Sequence, residues 1–311
     1  MRIAPNPLRT AAALAIGATL ACGGSAPGPS SAGEVAGWSA PTESEIPNDS
    51  LGAAIRRGLA LLRFTPESLP QYASSSLRCT SCHQNDGAKA TSAPLTGTHA
   101  RFPRYLSRSA AVVTLADRVN YCLTRSLAGN ALPHESREMA DILAYLAFIS
   151  RGFPVGRAKG TADGLLPMKD TLVGDAARGA ELFPAKCAIC HGVDGGGVGV
   201  FPALWGSRSY SIGASMARQE RAASFISHNM PQTSAGTLTA QEAFDLAAFI
   251  NSHPRPDSPG KEQDWPAGGA PRDVPYATKG HTAFLAPAVL VPRQNPSGAL
   301  VPAPASVRRG N

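Results

Sequence analysis

Two pentapeptides, Cys79-Thr80-Ser81-Cys82-His83 and Cys187-Ala188-Ile189-Cys190-His191, constrain this chain more than any other feature. Cys-x-x-Cys-His is the attachment signature of c-type haem. Its two thiols add to the porphyrin vinyl groups, and the adjacent histidine becomes an axial ligand of the iron. A redox dithiol belongs in a βαβ pattern and does not require the histidine, while a zinc site needs two more ligands at matching spacing. Two such motifs therefore predict two covalently bound haems c.

The repeat extends beyond the pentapeptides, as an accidental motif would not. After His83 comes Ala93-Pro94-Leu95, with Leu95 at +12; after His191 comes Pro202-Ala203-Leu204, with Leu204 at +13. Cys122 and Met230 both fall 39 residues after their histidines. Helical periodicity is expected before each motif, over 51–62 and 174–183, with Asp175 at or near a helix start. Closing helices are expected over REMADILAYLAFIS and AQEAFDLAAFINS, where aligning Asp141 with Asp245 superposes Ile142 on Leu246 and Tyr145 on Phe249. The expected fold is all-α: two tandem cytochrome c domains, each of three to four helices around its haem, with long irregular loops and a Pro/Gly-rich C-terminal extension. The run GVDGGGVGVFPALWG reads as a loop over the porphyrin edge, with Phe201, Leu204 and Trp205 as haem-packing residues.

The domains are expected at 46–155 and 156–255. Residues 1–21 carry Arg2 and Arg9 before a short apolar run and read as an export signal peptide, which points to the periplasm. Thr19-Leu20-Ala21-Cys22 resembles a lipoprotein processing site, so Cys22 is a candidate acylated anchor, against the alternative of ordinary cleavage nearby. Residues 22–45 read as a flexible tether, and 256–311 as the Pro-rich extension, irregular but ordered up to about Tyr276. With 29 Lys and Arg against 22 Asp and Glu, the net charge of +7 favours anionic ligands or acidic partners. The basic residues are scattered, which argues against a nucleic-acid partner.

Each iron needs a group opposite its histidine. In the second domain Met230, just before Pro231, is the expected thioether ligand; Met216, at +25, reads as core or surface, and His228 as an exposed or supporting histidine. In the first domain the matching position holds Cys122. It is either a small buried hydrophobe or a thiolate ligand. Four of the six cysteines attach haem and Cys22 is the candidate lipid site, so Cys122 lacks a disulfide partner, and its register favours ligation. Met139, at +56, belongs to the closing helix. A thiolate lowers a haem's potential and a thioether raises it, so electrons entering at the first haem are expected to run to the second.

From about Ile46 to Tyr276 the sequence resembles bacterial di-haem thiosulfate dehydrogenases, carried by RYLSRSAAVVTLADRVNYCLTRSLAGNALP, HNMPQTSAGTLTAQEAFDLAAFINSHPRPD and KEQDWP. The resemblance implies oxidative coupling of two thiosulfates to tetrathionate, 2 S₂O₃²⁻ → S₄O₆²⁻ + 2 e⁻. The active haem would be held by Cys79, Cys82, His83 and Cys122. A second, held by Cys187, Cys190, His191 and Met230, would pass electrons to an external cytochrome or similar acceptor. It further implies that Arg118 and Arg108, 4 and 14 residues before Cys122, bind substrate with Ser126, and that Cys122 carries a sulfur species covalently. Some family members have lysine where this chain has Asn229. Tyr121 and Ala128-Gly129 also depart from the family pattern. The alternatives are a non-catalytic di-haem electron carrier and another Cys-ligated-haem enzyme of sulfur oxyanions. Tetrathionate reduction is the same chemistry reversed.

Overall fold

The computed structural model describes residues 1, 38–154, 164–284, 289–294 and 298–300. The expected signal peptide, Cys22, the tether up to residue 37, residues 155–163 of the interdomain linker and residues 301–311 lie outside the described residues. Among the described residues no helix is long and apolar enough to cross a membrane.

The first domain is framed by α1 (Ser50–Arg63) and α3 (Arg137–Phe148), with the short α2 (Leu115–Tyr121) between them. The second is framed by α4 (Ala176–Lys186) and α6 (Ala240–Ser252), with α5 (Gln219–Asn229) packed on α6. The starts follow from short polar side chains that accept otherwise unpaired backbone N–H groups. Asp49 accepts from Gly52 at 2.8 Å, Ser136 from Met139 at 3.2 Å, and Asp175 from Ala177 and Arg178 at 2.8 and 3.2 Å. Each such cap contributes about 1 kcal/mol. The cysteines and histidines of the two motifs lie in and around single helical turns, Cys79–Cys82 and Ala188–His191.

The aligned aspartates organise the same helix crossing twice. In α1, Arg57 donates to both carboxylate oxygens of Asp141 at 2.7 and 2.8 Å; in α4, Arg178 does the same to Asp245 at 2.8 and 3.0 Å. The next residue in each helix is glycine. A Cβ on Gly58 would lie 2.0 Å from the Asp141 carbonyl oxygen, and one on Gly179 would lie 2.1 Å from that of Asp245. Only hydrogen at these positions lets the backbones approach so closely. An Arg-Gly pair on the first helix and an aspartate on the last are thus the mechanical signature of both domains.

Small strands interrupt the helical pattern. Strands β1 (Arg104–Leu106) and β2 (Ala111–Val113) form an antiparallel hairpin, with Tyr105 opposite Val112. Strands β3 (Arg255–Pro256) and β4 (Leu290–Val291) pair in parallel. The segment after residue 256 buries Trp265, Val274 and Tyr276 together with Ile212. Buried Asp264 and Asp273, both 1% exposed, turn inward onto arginines of the main body. The Trp38 indole donates to the Arg151 carbonyl at 2.9 Å and meets Phe153 edge-on.

The two domains share an interface. Tyr210, Ala214 and Ala217, from the second half of the chain, sit in the first domain's apolar core, and Met216 touches both cores. Met216 lies in a 3₁₀ turn, Ser215–Ala217, ahead of α5 rather than in a continuous helix, because the helix starts only at Gln219. Asn229, fully buried at the end of α5, donates to the Thr91 and Phe225 carbonyls at 2.9 and 3.1 Å and accepts from the Thr91 hydroxyl at 2.9 Å. From the other side, the Ser76 hydroxyl accepts from the Ala203 backbone at 3.0 Å.

Candidate active site

A cavity of about 500 Å³ opens in the first domain, with Cys79, Cys82, His83, Cys122, Arg108, Arg118 and Ser126 all in its lining. Its walls include Leu69, Leu77, Leu95, Val119, Leu123, Ile142 and Leu146. A site of this size, mostly apolar with a few convergent polar groups, suits a cofactor with an adjoining substrate. The His83 Nδ1 is 2.5 Å from the Ala93 carbonyl oxygen. A backbone acceptor there fixes the ring tautomer and leaves Nε2 as the ligating atom. Cys122 approaches the His83 ring, so the residues present match the donor set of a porphyrin iron attached through Cys79 and Cys82.

The attachment thiols and Cys122 differ electrostatically. Burial pushes Cys79 up to about 11 and Cys82 up to about 12. Burial also raises Cys122, but the Arg118 charge and contact with His83 outweigh it and bring that thiol down to about 6. The Arg118 Nη1 lies 3.0 Å from the Cys122 sulfur, one helical turn apart along α2. At Cys122 the helix loosens into a π turn, Cys122–Ser126, closed by Leu127 N donating to the Cys122 carbonyl at 2.9 Å. Such turns recur at functional sites because they re-aim side chains without breaking the chain direction.

Tyr121 and Ala128-Gly129 lie in well-defined surroundings. Tyr121 lies under the Arg125 guanidinium, 4.7 Å from ring centroid to guanidinium carbon. Ala128 adopts φ +50°, a left-handed conformation that asparagine tolerates better than alanine, and Arg293 donates to its carbonyl and to that of Gly129, each at 2.9 Å. Gly129 is required by space, since a Cβ would lie 1.8 Å from the Tyr72 carbonyl oxygen.

The arginines expected from the resemblance are both in the lining, but in different states. Arg118 pairs with the Cys122 sulfur. Arg108 is bound through Nε to Asp264 Oδ2 at 2.9 Å and through Nη2 to the Gly213 carbonyl and Tyr276 hydroxyl at 2.7 and 2.5 Å. Arg125 lines the same cavity and reaches Asp264 Oδ1 at 2.6 Å. Burial, then the neighbouring Arg108 charge, draws the Arg125 guanidinium below its ordinary value, with Asp264 opposing. Asp264, Trp265 and Tyr276 join the site from a segment whose sequence shows no short-range link to it. The KEQDWP segment carried the signal, but its partners lie about 140–160 residues away.

In the second domain the His191 Nδ1 bonds the Pro202 carbonyl at 2.9 Å, the counterpart of His83 and Ala93. Burial lowers the affinity of His191 for a proton and the Pro202 carbonyl opposes this, which suits a neutral ligating imidazole. Cys187, Leu204, Trp205 and Met230 border one apolar cluster, with Trp205 stacked on His253 at 4.0 Å. A Cβ on Gly195 would fall 2.3 Å from the Trp205 ring. Met230 ends α5, whereas His228 bonds the Ser224 carbonyl within the helix at 2.8 Å. The donor types at both centres fit haem c.

Comparison with known proteins agrees with this architecture. Residues 71–155 match the SoxA/TsdA cytochrome c domain family, and residues 176–254 match the cytochrome c family. The chain is 40% identical over 240 residues to the thiosulfate dehydrogenase of Psychrobacter arcticus, covering 75% of this chain and 73% of that protein. It is 38% identical to that of Allochromatium vinosum, covering 70% and 83%. The solved thiosulfate dehydrogenase (TsdBA) of Marichromatium purpuratum superposes with a TM-score of 0.68 at 32% identity, covering 72% of this chain and 50% of that longer one. With tandem haem-binding modules in place and these identities sustained over most of its length, the chain belongs to the thiosulfate dehydrogenase family.

Proposed function

We propose that the protein couples two thiosulfates oxidatively to tetrathionate in the cavity of the first domain, with Cys122 as the reacting residue. The observation that carries this reading is the Cys122 sulfur, set against His83 in a haem-sized cavity and held by Arg118 at 3.0 Å, with its thiol brought down to about 6. An exported electron carrier has no need for an activated thiolate among arginines. The named activity of the relatives supports the same reading.

The residues have separable tasks. Arg118 keeps the Cys122 sulfur anionic and nucleophilic. Arg108, Arg118 and Arg125 bring cationic N–H donors to a site where two dianions must meet, and guanidinium forks suit sulfonate-like oxygens. Ser126 supplies a neutral donor beside them. In a balanced cycle, the Cys122 thiolate and one thiosulfate form Cys–S–S–SO₃⁻ with loss of two electrons. A second thiosulfate then displaces the cysteine thiolate and leaves as S₄O₆²⁻. Cys79, Cys82 and His83 would hold one haem and Cys187, Cys190 and His191 the other, with Cys122 and Met230 offering further sulfur donors, and the two haems would supply one-electron acceptors. Because Asn229 is uncharged and engaged with Thr91, Met230 has no neighbouring lysine to exchange with.

The same proposal places the mature protein in the periplasm, anchored through Cys22, and delivering electrons to an external cytochrome or similar acceptor. Tetrathionate reduction would run the cycle backwards when the acceptor's potential is low. The test is product stoichiometry with purified holoprotein and an artificial acceptor. One tetrathionate for every two thiosulfates consumed and two electrons transferred is expected; sulfite or sulfate as the principal product would refute it.

A further inference from the structure

The cavity arginines are supported from outside their own domain. Asp264, 1% exposed, divides its carboxylate: Oδ1 accepts from Arg125 Nη2 at 2.6 Å, and Oδ2 accepts from Arg108 Nε at 2.9 Å and from the Tyr276 hydroxyl at 2.8 Å. The neighbouring Trp265 donates its backbone N–H to the Arg108 carbonyl at 2.8 Å, and its ring lies 4.9 Å from the guanidinium carbon. Trp265 is held at φ +52°, a conformation that large side chains adopt only where their surroundings impose it. A buried carboxylate beside a site for dianions opposes substrate attraction. Its presence is understandable only if what it arranges outweighs the charge it removes.

We propose that Asp264 is a positioning residue of the substrate site, holding Arg108 and Arg125 side by side so that their remaining N–H groups form one two-guanidinium clamp for a thiosulfate sulfonate. This rests on the cavity being the thiosulfate site. Without a shared counter-charge the two cations repel, and among the described residues Asp264 is the carboxylate that bonds both guanidinium groups. Among the described residues, Arg108 keeps Nη1 for the ligand, and Arg125 keeps Nε and Nη1. The C-terminal extension thereby completes the site, and its Asp264-Trp265 pair explains why a segment so poor in regular structure is buried.

The test is steady-state thiosulfate oxidation by full-length holoprotein carrying Asp264→Asn or Asp264→Glu, with haem content and unfolding temperature measured beside it. Asp264→Asn is expected to raise KM for thiosulfate by about tenfold while changing kcat by less than about threefold, the pattern of lost ligand binding. Asp264→Glu, which retains the charge, is expected to recover part of that loss. A purely structural role would lower haem content or unfolding temperature and leave KM in the loaded fraction unchanged, which would overturn the proposal. If Asp264→Asn yields no loaded protein, Tyr276→Phe removes one bond to the same carboxylate and is expected to raise KM by about threefold; an unchanged KM there also overturns it. Failure of the parent protein to oxidise thiosulfate would be a separate result, refuting the substrate assignment and this clamp with it.

Discussion

Asn229 offers the clearest quantitative test of how the two haem centres are tied together. Its amide makes three bonds, two of them to Thr91, which lies two residues before the Ala93 carbonyl that supports His83; the next residue along from Asn229 is Met230. Replacing it with alanine removes all three bonds and leaves the Thr91 and Phe225 carbonyls and the Thr91 hydroxyl without their partner. At about 1 kcal/mol for each lost bond, the expected destabilisation is about 3 kcal/mol. For a chain of this size that is a fall in unfolding temperature of about 6–12 °C. The assay is thermal unfolding of holoprotein followed by haem absorbance and by circular dichroism. A double-mutant cycle with Thr91→Val should give a coupling of about 1 kcal/mol or more. On the proposed ligation by Met230, the thioether-to-iron absorption band should weaken in Asn229→Ala, because Met230 loses its fixed neighbour. Additive effects at Thr91 and Asn229, with an unaltered band, would refute the idea that this bridge positions the ligand.

Three further outcomes follow from the geometry. Arg118→Met should lower kcat/KM for thiosulfate by about a hundredfold, since it strips the charge 3.0 Å from the Cys122 sulfur; a loss under about threefold would contradict the role given to that contact. Gly179→Ala should destabilise the second domain by about 1–3 kcal/mol, because its methyl would lie 2.1 Å from the Asp245 carbonyl oxygen, whereas Gly174→Ala tests the same close approach at the Phe244 carbonyl; denaturant midpoints decide both. The Asp245 carboxyl is held below its ordinary value: burial raises it, but the Arg178, Asp175 and Gln241 hydrogen bonds and the Arg178 charge prevail. Its stabilisation is complete above the ordinary 3.8 and is lost as pH falls through the lower folded value, so the unfolding-temperature gap between the parent and Asp245→Asn should close below about pH 3.8.

The sequence made the repeated frame legible because each haem motif fixes its own neighbourhood. The helices over Ser50–Arg63 and Ala240–Ser252, the Asp175 cap and the alignment of Asp141 with Asp245 all followed from periodicity and short-range capping. Cys122 stands out in the sequence because its offset from His83 repeats that of Met230 from His191. The π turn that carries it was not legible, since nothing local distinguishes it from ordinary helix. The β1–β2 hairpin was missed because its three-residue strands are too short to show alternation. Asp264 was invisible for another reason. An aspartate in a Pro/Gly-rich segment looks solvated until the chain returns it to Arg108 and Arg125, and no spacing rule reaches across 139 or 156 residues. The same distance explains Asn229, whose partner Thr91 is 138 residues away.

The central claim is that thiosulfate reacts at Cys122, and one comparison addresses it directly. Oxidised holoprotein and its Cys122→Gly variant, matched for haem content, are mixed anaerobically with thiosulfate while haem reduction is followed. The parent should be reduced and release tetrathionate, and the variant should remain oxidised on the same timescale. Equal reduction of the two proteins would contradict the assignment of Cys122 as the reacting residue.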